Sequence, residues 1–198
     1  LLFLGGGNVM HAMHDELDLF KMGALRKKMR GTWIYMTIAS VALAGLPPLA
    51  GFWSKDAIIE TAFNEHTYIL WGMLVITAGM TAFYSFRQVF LSFHGEDRHT
   101  PLGFHPHEMY KFVLVAMSPL AVLAIITGWF MGSYKAFIYK IGETVQYEMS
   151  DHTHHLAMYL GLIVIFFALS GIAYAYYKYA RTGENAWKRI EKVENGFF

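Results

Sequence analysis

Residues 45–56 read Gly45-Leu-Pro-Pro-Leu-Ala-Gly-Phe-Trp-Ser-Lys-Asp56, and they interrupt an apolar run that opens near Gly31 and closes near Phe63. Pro47 and Pro48 have no backbone N–H to donate and crowd the preceding turn, so the first half of the run is expected to lose its helical ladder around Leu46. Gly45 and Gly51 bracket the interruption, and the helix is expected to restart after Gly51. Hydrocarbon offers no partners to the freed carbonyls and amides. A break at membrane depth therefore survives only where protein or a water-filled cavity covers it, and Lys55 and Asp56 stand just beyond it.

The rest of the chain supports membrane depth. Of 198 residues, 55% are hydrophobic and only 16% charged, and the mean hydropathy is +0.32, more apolar than an ordinary soluble domain. The apolar residues gather into runs near 32–63, 68–93, 111–132 and 156–178, each long enough to cross a core that takes roughly 20 helical residues. Leu1–Ala12 reads as the tail of a further helix, so the chain is expected to begin within one. The fold class that follows is all-α: a polytopic transmembrane helix bundle over residues 1–183 with one discontinuous helix. In 184–198, Ala186, Trp187, Ile190 and Val193 recur at helical spacing among charges, as at the start of an amphipathic surface helix.

Lysine and arginine set the orientation. Lys21, Arg26, Lys27, Lys28 and Arg30 follow the first helix, whereas 64–67 carries none, which places the first loop in the cytoplasm. Arg98 in 94–110 and the tail from Lys178 agree, while Lys135 and Lys140 on the outer connection 133–155 run against the pattern. A net charge of +1 and the absence of a basic stripe argue against nucleic acid. With no cysteine, the segment holds no disulfide, thiolate metal site or cysteine-ligated iron–sulfur cluster.

Lys55 is the first candidate for the chemistry. An ammonium at the bilayer centre costs about 2.5–3.5 kcal/mol on insertion scales, so such residues face the bundle interior and serve ion pathways. It is expected in the first turn of the restarted half-helix, where the positive end of the helix dipole also disfavours its charged form. Both effects suit a group that gains and releases a proton. Asp56 points about 100° away on a helix and is not assured as its partner. The alternatives are a structural pair, or a lysine that snorkels to the outer surface.

Thr77, Thr81, Tyr84, Ser85 and Gln88 recur every three or four residues, with Arg87 at the edge of the stripe. They could line a hydrated half-channel or bond neighbouring helices. His11 and His14 fall at the spacing of one helical face and could relay protons at the cytoplasmic end, or simply be solvated there. His152-Thr-His-His155 and His105-Pro-His107-Glu108 look loop-like and are not assigned a metal. Gly5-Gly6-Gly7 reads as a close-packing surface rather than a phosphate loop.

Four stretches carry a family resemblance: Leu2-Phe-Leu-Gly-Gly-Gly-Asn-Val-Met-His-Ala-Met-His14, Lys21-Met-Gly-Ala-Leu-Arg-Lys27, Gly45–Asp56, and Tyr84-Ser-Phe-Arg-Gln-Val-Phe-Leu-Ser-Phe-His-Gly95. They resemble the antiporter-like subunits of respiratory complex I, most closely the L subunit, or chain 5, of NADH-quinone oxidoreductase. The resemblance implies an antiporter-like fold with its broken helix over Trp33–Phe63, Lys55 as the terminal lysine of the proton path, and Asp56 as the adjacent family aspartate. Residues from Glu184 would lead into a long lateral helix.

It further implies a non-redox proton-translocating subunit of a bacterial inner-membrane translocase, with no complete active site and no bound cofactor of its own. NADH, FMN, iron–sulfur clusters and quinone would sit in other subunits. Its partners would be the lipid bilayer and the membrane and peripheral subunits of the complex, above all the adjacent antiporter-like subunit. Ser54-Lys55-Asp56 favours this family over the Ser-Lys-Glu usual in the large Mrp-type sodium/proton antiporter subunit, which stays open as an alternative, as does a structural scaffold in a membrane complex.

Overall fold

The computed structural model describes residues 1–130 and 151–181, with the backbone alone for 151–158. Helix α1 spans Leu2–Ala12, and two short 3-10 turns, Leu19–Lys21 and Leu25–Lys27, lead into α2, Arg30–Ala44. The expected interruption follows, then α3, Ala50–Asn64, and α4, Tyr68–Phe93. A 3-10 turn at Thr100–Leu102 precedes α5, Lys111–Ile126, which tightens into a further 3-10 turn at Thr127–Phe130. Helix α6, Asp151–Ala175, ends in a π-helical turn at Tyr176–Arg181. No strand occurs among the described residues.

Three of these stretches, Tyr68–Phe93, Lys111–Phe130 and Tyr159–Arg181, are long and apolar enough to cross a membrane. Their outer faces carry Ile69, Phe112, Val115 and Phe166, all exposed, the reverse of a water-soluble bundle. The interior is closed by small residues. Glycines 79 and 171 stand where α4 crosses α6, and a Cβ on Gly171 would collide with the carbonyl oxygen of Gly79. Backbones in lipid attract mainly by close packing and weak polar contacts, so a glycine crossing is where these two helices gain most. Ala82, Ala168 and Ala175 extend that contact beside Phe86, Phe90 and Tyr179. A second cluster joins α1, α2 and α4 through Val9, Met36, Val89 and Phe93, and a third seats Ile59 of α3 against Val75, Ala78 and Val164.

Loops at the expected cytoplasmic end are tied to one another. Arg98 donates from Nε to the Met22 carbonyl at 2.6 Å and from Nη2 to the Leu91 carbonyl at 2.9 Å. His99, fully buried, faces the Gly23 carbonyl with Nδ1 and the Lys28 ammonium with Nε2, both at 2.9 Å. An ammonium can only donate, so Nε2 accepts and the ring is the neutral Nδ1–H tautomer.

Two expectations meet corrections here. His14 does not share a helical face with His11: α1 stops at Ala12, and His14 follows with a positive φ of 54° and stacks on Phe104 at 6.2 Å. The backbone of 152–155 belongs to α6 rather than to a loop, because the helix starts at Asp151. The side chains of His152–His155, the outer lysines 135 and 140, and the segment 184–198 lie outside the described residues.

Candidate functional site at the broken helix

Helix α2 is ended by glycine before the prolines are reached. Gly45 takes the left-handed conformation, φ 77° and ψ 38°, which costs a residue without Cβ nothing. Its N–H donates to the Ala42 carbonyl at 3.1 Å, and the Leu46 N–H returns to the Val41 carbonyl at 3.3 Å. This pair of bonds is the Schellman motif. Pro47 and Pro48 then prevent any continuation.

Gly51 does not mark the end of the break. It lies in the first turn of α3, which starts at Ala50, and a Cβ there would overlap the carbonyl oxygen of Ala42. Its role is approach: without a side chain, the start of α3 can close onto the end of α2.

That shift of register changes the electrostatics of Lys55. The residue is in the second turn of α3, not the first, and its side chain runs back across Gly45 to α2. Nζ donates to the Leu43 carbonyl oxygen at 2.6 Å, and a Cβ on Gly45 would stand 2.9 Å from Lys55 Cδ. Leu43 is in the last turn of α2, where carbonyls are left over by the helix and the dipole is negative. The half-helix end therefore favours the ammonium, opposite to the sign expected from a first-turn position. Broken helices in membranes hold cations at such C-terminal ends.

Asp56 diverges from Lys55. Its carboxylate lies against Gly161 of α6, where a Cβ would be 3.0 Å from Oδ1. One turn on, Glu60 has a buried Oε1 without a hydrogen-bond partner among the described residues, and Ser40 of α2 has a fully buried Oγ in the same condition. Sequence reading passed over both, since neither belongs to a periodic polar stripe.

The stripe on α4 is satisfied within its own helix. Thr77 Oγ1 donates to the Met73 carbonyl, Thr81 Oγ1 to the Thr77 carbonyl and Ser85 Oγ to the Thr81 carbonyl, each at 2.7 Å. These are bonds four residues back, not between helices, and they leave the hydroxyl lone pairs as acceptors. Thr81 and Ser85 are buried, Thr77 and Tyr84 exposed. Gln88 turns toward α1, with Nε2 3.5 Å from where a Gly6 Cβ would be, and lines a groove of about 670 Å³ with Gly6, Gly7, Met36 and Ser92. Neither Lys55 nor Asp56 lines that groove. Arg87 faces elsewhere, its guanidinium 6.0 Å from the Phe20 ring and 5.7 Å from the Tyr179 ring. Among the described residues, no hydrogen bond links this stripe to Lys55. Gly5 packs onto Met36 as a close-contact glycine should, while Gly7 meets no other helix among the described residues.

Sequence reading missed Glu108, which acts at the far end of α2 from Lys55. Grouped by spacing with His105 and His107, it instead reaches the N-terminus of α2, accepting from Gly31 N at 2.6 Å and Thr32 Oγ1 at 2.7 Å. The signal was Gly31, whose Cβ would stand 3.1 Å from Glu108 Oε2. Among the described residues, no group of three histidine or acidic side chains is placed to hold a metal ion.

The sequence that builds this arrangement matches known proteins. Residues 1–81, which contain α1 and the whole broken helix, match the family described as NADH:quinone oxidoreductase/Mrp antiporter, transmembrane. Subunit L of NADH-quinone oxidoreductase from Campylobacter jejuni is 51% identical over 70% of the chain and 23% of the relative. Subunit L from Mycobacterium tuberculosis is 36% identical over 90% of the chain and 28% of the relative. Chain 5 of NAD(P)H-quinone oxidoreductase from a Picosynechococcus species is 36% identical over 97% of the chain and 33% of the relative. The chain thus spans about a quarter to a third of the length of these curated relatives. With the broken helix inside the matched region, the chain is similar along most of its length to the antiporter-like membrane subunits of NADH-quinone oxidoreductase, subunit L among them.

Proposed function

We propose that this chain forms part of a proton-translocating membrane subunit in which Lys55 takes up and releases a proton at the broken helix. The observation that carries the reading is the Lys55–Leu43 contact: an ammonium on the C-terminal end of a half-helix, 2.6 Å from a carbonyl oxygen left over by the ladder. Such a site holds a cation that has no salt-bridge partner among the described residues. Its hold weakens when the carbonyl moves or when a second charge approaches, so the proton can leave. In this reading Asp56, whose carboxylate lies against Gly161 of α6, takes part in that exchange from a different face of α3.

In this reading the energy comes from quinone reduction by NADH elsewhere in the complex. The chain binds no redox cofactor, works beside an adjacent antiporter-like subunit, and lies in a bacterial inner membrane. Thr77, Thr81 and Ser85 keep acceptor positions that could order water on α4, without a geometric link to Lys55 in the described residues.

The test is NADH-driven proton pumping in inverted membrane vesicles carrying the full-length parent subunit with Lys55→Ala, with NADH oxidation as the measure of assembly. A fall in protons pumped per NADH oxidised supports the reading; an unchanged ratio rejects it. The family match also covers Mrp antiporters, and sodium-dependent proton exchange without NADH oxidation would favour that second reading.

A further inference from the structure

Helix α2 has no side-chain cap of its own, since Met29 precedes it and makes none. The first amides of a helix lack intrahelical acceptors and need partners when buried. Here they find one 77 residues downstream. Glu108 Oε2 accepts from Gly31 N at 2.6 Å and from Thr32 N at 3.3 Å, and Oε1 accepts from Thr32 Oγ1 at 2.7 Å. Thr32 is fully buried, and its hydroxyl accepts in turn from Asn8 Nδ2 at 3.5 Å, which also stands 3.3 Å from Met117 Sδ. A chain of polar contacts thus joins α1 through Asn8, α2 through Thr32, and the segment leading into α5 through Glu108. Residue 31 is closely packed here: a Cβ there would stand 2.9 Å from Leu114 Cδ1 and 3.1 Å from the carboxylate.

The opposite end of α2 carries the Leu43 carbonyl that holds Lys55. One rigid helix of 15 residues, about 22 Å long, is therefore held by a carboxylate at its positive end and an ammonium at its negative end. The two contacts oppose axial sliding. A side-chain hydrogen bond is lost by about 3.6 Å, so a displacement of α2 by roughly 1 Å would release Lys55 from Leu43.

We propose that Glu108 is a positioning residue for the proton step at Lys55: it fixes α2 along its axis and so sets the Leu43 carbonyl within reach of the ammonium. The proposal rests on the reading of Lys55 as a proton carrier, and Glu108 itself passes no proton in it. Any acceptor of the right reach serves, which separates this role from a relay.

The experiment uses the assembled complex with Glu108→Ala, Glu108→Gln and Thr32→Val in the full-length subunit, beside Lys55→Ala. Protons pumped per NADH oxidised are measured in inverted vesicles, and amide hydrogen exchange across residues 41–46 is measured in the solubilised complex. Glu108→Ala should lose at least about half of what Lys55→Ala loses in the pumping ratio and should speed exchange at 41–46. Glu108→Gln, whose amide oxygen still accepts, should keep most of both, and Thr32→Val should fall between.

A Glu108→Gln loss equal to that of Glu108→Ala would mean that the group must ionise, and would overturn positioning in favour of a relay. Unchanged exchange at 41–46 in Glu108→Ala would overturn it whatever pumping does. A merely structural role would lower assembly and NADH oxidation together and leave the pumping ratio intact, which also overturns it. If Glu108→Ala does not assemble, Glu108→Gln and Thr32→Val carry the same two readouts. An intact ratio in Lys55→Ala would remove the reading of Lys55 instead, a failure distinct from an intact ratio in Glu108→Ala alone.

Discussion

Lys55 Nζ lies 2.6 Å from the carbonyl oxygen of Leu43, twelve residues earlier in the chain, and the side chain reaches it by crossing the bare backbone of Gly45. One glycine therefore does two things: its left-handed backbone ends α2, and its missing Cβ leaves a passage for the lysine stem.

Gly45→Ala tests both at once. Alanine at a positive φ costs about 1–2 kcal/mol, and the added methyl would press on Lys55 Cδ from 2.9 Å. The complex should still assemble, with a lower thermal midpoint, and its pumping ratio should fall toward that of Lys55→Ala. Pumping at the unsubstituted ratio would show that the lysine does not need this path.

Gly51→Ala should be the more damaging change. Its methyl would enter the space of the Ala42 carbonyl oxygen, and backbone on both sides leaves no side chain free to give way. The two half-helices must part, at a cost in the range of a strongly overpacked site, about 1–3 kcal/mol or more. Quantifying the assembled subunit in membranes checks this; Gly51→Ala accumulating as well as Gly45→Ala would contradict it.

Removing hydroxyls from α4 should matter little for stability. Thr81 and Ser85 donate to their own helix, so Thr81→Val and Ser85→Ala leave those carbonyls in their ordinary ladder bonds and cost roughly 1 kcal/mol or less. A pumping ratio lowered several-fold by either, with assembly intact, would assign the hydroxyls to an ordered-water path.

Loops at the expected cytoplasmic end should loosen in acid. Burial is the largest influence on His99 and holds its imidazole below the ordinary 6.5; Asp97 opposes this and Lys28 adds to it. A histidine whose folded value is depressed is protonated first in the opened state. The closed arrangement is therefore fully favoured above about pH 6.5 and is lost as pH falls through the lower, folded value. Amide exchange in residues 94–104 and 22–28 should quicken below that pH, and His99→Gln should remove the dependence. A flat profile in the unsubstituted protein would refute the assignment of the neutral ring.

Much of the fold was legible in the chain because its signals are local. Apolar runs of the right length mark helices that can cross a membrane, and Gly45 with Pro47 and Pro48 marks where one of them stops. Lys55 stood out for the same reason, as a cation beside a break. The family resemblance rested on those residues too, and the match over 1–81 and the subunit L relatives agree with it.

The sign of the electrostatics at Lys55 was not local. Whether Gly51 lies before α3 or inside it depends on how closely α3 approaches Ala42, and that contact decides which helix end the ammonium meets. Glu108 escaped notice because its partners, Gly31 and Thr32, lie 77 and 76 residues away; only the packing of α5 beside α2 brings them together. His14 was misplaced because a helix end after Ala12 depends on backbone conformation, which spacing alone does not reveal. Sequence by itself determined which segments are helical and where a cation must be sheltered, since propensity, hydropathy and the missing proline amides act within a turn or two. Tertiary structure alone decided what shelters it and what holds the shelter in place, since hydrogen bonds between distant segments form only after packing has set the distances.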